Sequence, residues 1–115
     1  MSSTKTVVYH KLVRDLIPQI IEASGDSCVT RVLDRDTYID CLETKLTEEL
    51  NEYLSSKDAE ELADLLEVVE ALISARGWSR EEIEQIRLHK KEKRGGFAER
   101  IYLESVSRRA TNEAE

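Results

Sequence analysis

The sequence predicts a mainly α-helical protein, built on an antiparallel helical hairpin or bundle, with a small β-sheet made from the chain ends. Apolar residues recur at helical spacing through most of residues 35–94, and one proline and four glycines are the only strong helix breakers in 115 residues. Short β-branched or alternating stretches near both ends predict the sheet.

The elements predicted before the hairpin are a strand, a helix and a second strand. Residues 6–9 (TVVY) are β-prone. The stretch RDLIPQIIEASG predicts a short helix with Pro18 in its first turn and Gly25 at its end. Residues 28–34 (CVTRVLD) alternate and contain β-branched residues, which predicts the second strand.

Two long helices form the predicted hairpin. The first runs from about Arg35 to Ser55, and the second begins near Asp58, a favourable N-cap residue, and stops at Gly77. The polar joint at residues 55–58 is short, so the two helices are expected to fold back antiparallel.

The remaining residues predict one more helix and one more strand. Ser79 and Glu82 have the spacing of a capping box, and a glycine pair at 95–96 ends the helix. Residues 97–106 alternate and are expected to pair with residues 28–34. Because 115 residues leave no room for a second full core, we expect a single domain over 1–106 and a polar tail over 107–115.

Charge and composition exclude several classes of partner. The formal net charge of −7 argues against a nucleic acid polymer or an anionic membrane as partner, because both demand clustered cations. No apolar run resembles a signal peptide or could span a bilayer. Cys28 and Cys41 have no motif spacing, which is typical of reduced thiols in a cytoplasmic protein.

Four carboxylates occupy helix positions where apolar residues are expected. On a helical wheel, Glu49 and Glu52 fall within the apolar side of the first long helix. Glu61 and Asp64 fall within the apolar arc of the second. In an antiparallel hairpin Glu49 lies level with Asp64, and Glu52 lies level with Glu61, so the sequence predicts that all four converge on one inward-facing site.

Carboxylates that share a partly buried site must be protonated, paired with cations or bound to metal. Lys45 lies on the same side of its helix, so ordinary salt bridges are one interpretation. An all-oxygen donor set suits Mg²⁺, with Mn²⁺ as an alternative. The mirrored pairs favour the metal site over the salt bridges.

Two basic segments are candidates for binding phosphate. Lys11 and Arg14 lie close to Asp15 near the start of the chain, where they either anchor the N-terminal arm or contact phosphate. The end of the predicted helix that follows Ser79 can bind phosphate beside Mg²⁺, or it can simply complement the helix dipole. The basic residues of that end are Lys90, Lys91, Lys93 and Arg94.

Three motifs resemble one enzyme superfamily. EELNE followed by EELAD resembles the EExxE…ExxD signature of the all-α nucleoside triphosphate pyrophosphohydrolases, which include MazG-like proteins, dimeric dUTPases and phosphoribosyl-ATP pyrophosphohydrolases. YHKLVRDLIPQII and KKEKRGGFAERIYL resemble a short MazG-like subgroup that is often labelled phosphoribosyl-ATP pyrophosphohydrolase-like. The likeness covers residues 9–103.

The resemblance implies Mg²⁺-dependent hydrolysis of a nucleoside triphosphate to the monophosphate and pyrophosphate, of the house-cleaning type. It also implies a homo-oligomer, usually a dimer. Glu49 or Glu52 would orient or deprotonate the attacking water. The implied metal ligands are Glu49, Glu52, Glu61 and Asp64, with Glu48 auxiliary. The implied phosphate contacts are Lys90, Lys93 and Arg94, to which the N-terminal segment would add Lys11 and Arg14.

Three other functions remain open at this point. A phosphoribosyl-ATP pyrophosphohydrolase of histidine biosynthesis would cleave the same bond in a bulkier substrate. A catalytically silent helical module would bind a nucleotide or a protein without releasing pyrophosphate. A purely structural acidic hairpin would bind no metal. The sequence does not specify the base of the substrate.

Overall fold

The computed structural model describes residues 4–110, and it confirms that the protein is mainly helical. The chain divides into two compact units, Met1–Ile83 and Glu84–Glu115. The helices are α1 (Ile17–Ala23), α2 (Arg35–Ser56), α3 (Ala59–Ala75) and α4 (Arg80–Arg94).

Local sequence signals define the ends of α1 and α2. Pro18 lies in the first turn of α1, where its missing N–H leaves no donor unpaired, and Gly25 follows the helix with a φ of +97°. The Asp34 carboxylate caps α2 by accepting a hydrogen bond from the Thr37 N–H over 2.8 Å, and this hydrogen bond lowers the pKa of Asp34. Lys57 ends α2 in the left-handed region.

The turn between α3 and α4 satisfies the backbone of both helices. The N–H of Gly77 donates to the C=O of Ser74, and the N–H of Trp78 donates to the C=O of Ile73, which closes α3 as a Schellman motif. The predicted capping box of α4 is confirmed: the N–H of Glu82 donates to Ser79 Oγ over 3.0 Å, and the N–H of Ser79 donates to Glu82 Oε1 over 2.9 Å. Asp58 is the N-cap residue of α3, although its side chain makes no capping hydrogen bond.

The α2–α3 hairpin carries the core. The two helices pack antiparallel about the joint at Lys57 and Asp58, and an ion pair between Arg76 and Glu43, 2.8 Å long, joins them far from that joint. The buried apolar side chains of the described residues are Ile39, Leu42 and Val68. Most other apolar side chains of the two helices are only partly buried or exposed. This core is small for the hairpin it must stabilise.

The predicted β-sheet is wrong, because residues 4–110 contain no strand. A strand is stable only with a pairing partner and a layer that covers one of its faces. Val29, Val32 and Phe97 are almost fully exposed, so no such layer covers the alternating apolar positions. The segments that do not form strands are 6–9, 28–34 and 97–106.

The predicted domain boundaries and the membrane-spanning capacity of the helices complete the description of the fold. The single domain over 1–106 stays a prediction, and the part of the predicted tail from residue 111 to residue 115 lies outside the described residues. Within residues 4–110, none of the helices combines the length and the apolar character that crossing a bilayer requires.

Candidate metal centre

Three carboxylates meet on facing sides of the hairpin. Glu49 on α2 and Glu61 and Asp64 on α3 each offer one oxygen, and these oxygens lie within 4.8 Å of one another. All three residues are partly buried. The antiparallel packing therefore sets an acid of one helix beside an i, i+3 pair of acids on the other.

Glu52, the fourth predicted ligand, is exposed and does not belong to this close group. It is nevertheless near enough for its negative charge to raise the pKa of Glu61. Glu52 therefore adds to the negative potential of the site from its edge.

Two basic side chains partly compensate the acids. Lys45 Nζ lies 3.5 Å from Glu49 Oε1 and 3.8 Å from Glu48 Oε1. The side chains of Lys45 and Glu49 are only 20% and 14% exposed, so water screens this pair less than a surface pair.

Arg14 supplies the second cation, from outside the hairpin. Its Nη2 donates to Asp64 Oδ1 over 2.7 Å, and both side chains are substantially exposed. The sequence predicts that Arg14 anchors the N-terminal arm or contacts phosphate, but it does not indicate Asp64 as its partner. The two residues are 50 positions apart, and no local pattern links them.

Glu61 is the member of the group whose charge is least compensated. It forms no ion pair with any of residues 4–110, and its pKa is raised first by burial and then by the charges of Glu52, Asp64, Glu49 and Glu60. The site has four formal negative charges, on Glu49, Glu52, Glu61 and Asp64, and two positive charges, on Lys45 and Arg14. At least two negative charges are therefore left without a counter-ion, and one divalent cation would balance them.

The donor set fits a hard divalent cation. All three close donors are carboxylate oxygens, which Mg²⁺ and Mn²⁺ prefer. Oxygens that bind one Mg²⁺ octahedrally at about 2.1 Å lie about 3.0 Å apart when adjacent and about 4.2 Å apart when opposite, so the three side chains would have to draw together for all of them to bind one ion.

The other predicted site residues are distributed over both units. Lys11 lies over the Tyr9 ring, with Nζ 5.4 Å from the ring centroid. The basic end of α4 is exposed and belongs to the unit Glu84–Glu115, whereas the carboxylates belong to Met1–Ile83. The predicted phosphate contacts at that end, which stay predictions, are Lys90, Lys93 and Arg94.

A hollow of about 390 Å³ lies beside the acids on α2. Its lining is polar and acidic, and all of it comes from one face of one helix: Glu48, Asn51, Glu52 and Ser55. A nucleoside pocket needs apolar or aromatic walls on more than one side, and this hollow does not provide them.

Comparison of the chain with protein-family models, with curated proteins and with solved structures finds no match in any of the three. The MazG-like resemblance rests on the three motifs and stays a prediction.

Replacing Glu61 by Gln is expected to raise the melting temperature of the protein in EDTA. The folded-state pKa of Glu61 lies above its ordinary value of 4.5, so ionised Glu61 destabilises the fold at neutral pH. Below about pH 4.5 the residue is protonated in both the folded and the unfolded state, and the advantage of Gln disappears. Thermal melts of both proteins from pH 3.5 to 8 measure this difference.

Glu67→Gln is the matched control, because Glu67 is an exposed acid on the same helix. It is expected to change the melting temperature little at any pH. A Glu61→Gln protein that is no more stable than the wild type at pH 7 would contradict the repulsion described for the site.

Proposed function

We propose that the protein is a Mg²⁺-dependent hydrolase that cleaves nucleoside triphosphates to the monophosphate and pyrophosphate, in the manner of a house-cleaning enzyme. The observation that carries this proposal is the group of three carboxylate oxygens within 4.8 Å, with its uncompensated negative charge. The paired acidic motifs on α2 and α3 support it, since they have the spacing of the superfamily signature.

Each acid has a role in this mechanism. Glu49, Glu61 and Asp64 would hold the ion. An ion held there would supply the positive charge that polarises the α-phosphate and lowers the pKa of a water molecule. Glu52 is the better candidate for the base, because it lies outside the close group and is not needed as a ligand. Water attacks the α-phosphorus, Glu52 accepts its proton, and pyrophosphate leaves.

The negative charge of the substrate needs cations beyond the metal. Basic side chains bind phosphate oxygens through charge-assisted hydrogen bonds. For this role we propose the end of α4 and the N-terminal segment, with Lys90, Lys93, Arg94, Lys11 and Arg14.

We further propose that two copies of the chain assemble through the hairpin. Leu54 and Leu62 flank the α2–α3 joint, and Leu50 and Leu66 follow one turn further along each helix. These leucines are between 43% and 64% exposed, although the buried core is small. A second hairpin packed on this leucine face would form a four-helix bundle and bury it.

Two alternatives share parts of this proposal. A phosphoribosyl-ATP pyrophosphohydrolase would use the same acids and cleave the same bond, so only its substrate distinguishes it. A silent nucleotide- or protein-binding module would keep the fold and the dimer but release no pyrophosphate.

Replacing Glu49 by Gln or Asp64 by Asn is expected to reduce pyrophosphate release by about a hundredfold or more, because each change removes a metal ligand. Helix content by circular dichroism should stay unchanged. The assay screens canonical and damaged nucleoside triphosphates and phosphoribosyl-ATP, with Mg²⁺ and with EDTA. Glu67→Gln is the control of equal charge and should keep full activity; undiminished wild-type activity in EDTA would exclude the mechanism.

Replacing Leu66 by Glu is expected to shift the protein from dimer to monomer, raising the dissociation constant about a hundredfold, because the charge would be buried in the interface without a partner. Sedimentation equilibrium measures this constant. Leu88→Glu introduces the same change at an exposed leucine of α4 and should leave the dimer intact. A wild-type monomer at high concentration, or a Leu66→Glu protein that still dimerises, would contradict the proposed interface.

A further inference from the structure

The N-terminal segment, residues 4–16, is tied to the hairpin through a predicted metal ligand. Most of the segment is exposed, including Val7, Val8 and Tyr9. Among the described residues, the side-chain hydrogen bond between this segment and α2 or α3 is the one from Arg14 Nη2 to Asp64 Oδ1, 2.7 Å long. An event at Asp64 can therefore change how the segment is held.

The Arg14–Asp64 contact is a single, exposed ion pair that another cation can replace. The guanidinium carries five N–H donors, and one of its nitrogens makes this contact. The Arg14 side chain is 56% exposed, and exposed ion pairs of this kind contribute little net stability. Lys45 differs, because it pairs with acids of its own helix and its side chain is largely covered.

A divalent cation and Arg14 would bind the same carboxylate, that of Asp64, and each would weaken the binding of the other. The cation withdraws negative charge from the carboxylate that Arg14 binds, and the two positive charges repel each other. Because coupling between two binding events is reciprocal, an ion that weakens the Arg14 contact is itself bound more weakly in the presence of Arg14.

We propose that Arg14 and the divalent cation compete for Asp64, so that binding of the metal–nucleotide releases Arg14 from the carboxylate and makes its guanidinium available to the phosphates. Arg14 is then a positioning residue that links occupancy of the metal centre to the N-terminal segment. This inference rests on the proposed function, since it requires the metal site of Glu49, Glu61 and Asp64. It adds that Arg14 weakens binding of the ion, which the hydrolytic mechanism alone does not require.

The test is a calorimetric titration of Mn²⁺ into the wild type and four variants, of which Asp64→Asn removes a proposed ligand of the ion. Arg14→Gln should bind Mn²⁺ about 1.5- to 5-fold more tightly, because the small net stability of an exposed ion pair limits how strongly Arg14 can compete. Arg14→Lys keeps the charge and should stay near the wild type. Arg76→Gln is the matched control, because Arg76 forms an equally short, half-exposed pair with Glu43 in the same unit, and it should leave Mn²⁺ affinity unchanged.

Side-chain NMR of the Arg14 guanidinium provides a second readout that does not depend on activity. Saturating Mg²⁺ should shift the Arg14 side-chain resonances of the wild type toward those of an unpaired arginine, because the contact of Nη2 with Asp64 Oδ1 is lost. The side-chain resonances of Arg76, which pairs with Glu43, should not respond to the ion. With a non-hydrolysable nucleoside triphosphate and Mg²⁺, Arg14→Gln should bind the nucleotide more weakly, although it binds the ion more tightly.

The outcomes separate this inference from the proposed function. If the wild type binds Mn²⁺ and Asp64→Asn abolishes binding, but Arg14→Gln leaves the affinity unchanged or weakens it, the metal site stands and the competition is overturned. If neither the wild type nor Arg14→Gln binds Mn²⁺ at millimolar concentration, the proposed metal centre fails, and the competition fails with it.

Discussion

Repulsion among the carboxylates that α2 and α3 bring together is the constraint on which the rest of the structure depends. Glu49, Glu61 and Asp64 occupy helix positions that would otherwise extend the core of the hairpin. The chain keeps a small core, and Lys45 and Arg14 compensate only part of the negative charge. Loss of stability at a site of concentrated charge is common where function demands the charge.

The same constraint connects the proposed chemistry to the proposed assembly. The hairpin gives apolar positions to acids and leaves its leucine face exposed. A second copy would cover that face, and a divalent cation would neutralise the acids. The second copy and the cation would therefore each stabilise the folded state by mass action, and the protein should be most stable when both are bound.

The features predicted from sequence are those that local residues determine. Pro18, Gly25 and the Ser79–Glu82 box set helix ends within a few residues, so they could be read directly. The short joint predicts the antiparallel hairpin, in which Glu49 lies beside Glu61 and Asp64. The sheet could not be predicted reliably, because strand pairing depends on distant segments. Neither could the Arg14–Asp64 contact, because no periodicity reports a pairing across 50 residues. Glu52 follows Glu49 by three residues, the same spacing that joins Glu61 and Asp64, so spacing alone could not show that Glu52 lies outside the close group.

The most direct test of the central claim is an anomalous difference map from crystals grown with Mn²⁺. We expect a peak within bonding distance of carboxylate oxygens of Glu49, Glu61 and Asp64, with Glu52 close to the ion or to a water molecule bound to it. A map without a peak at these acids, with Glu61 and Asp64 directed into bulk solvent away from Glu49, would contradict the account.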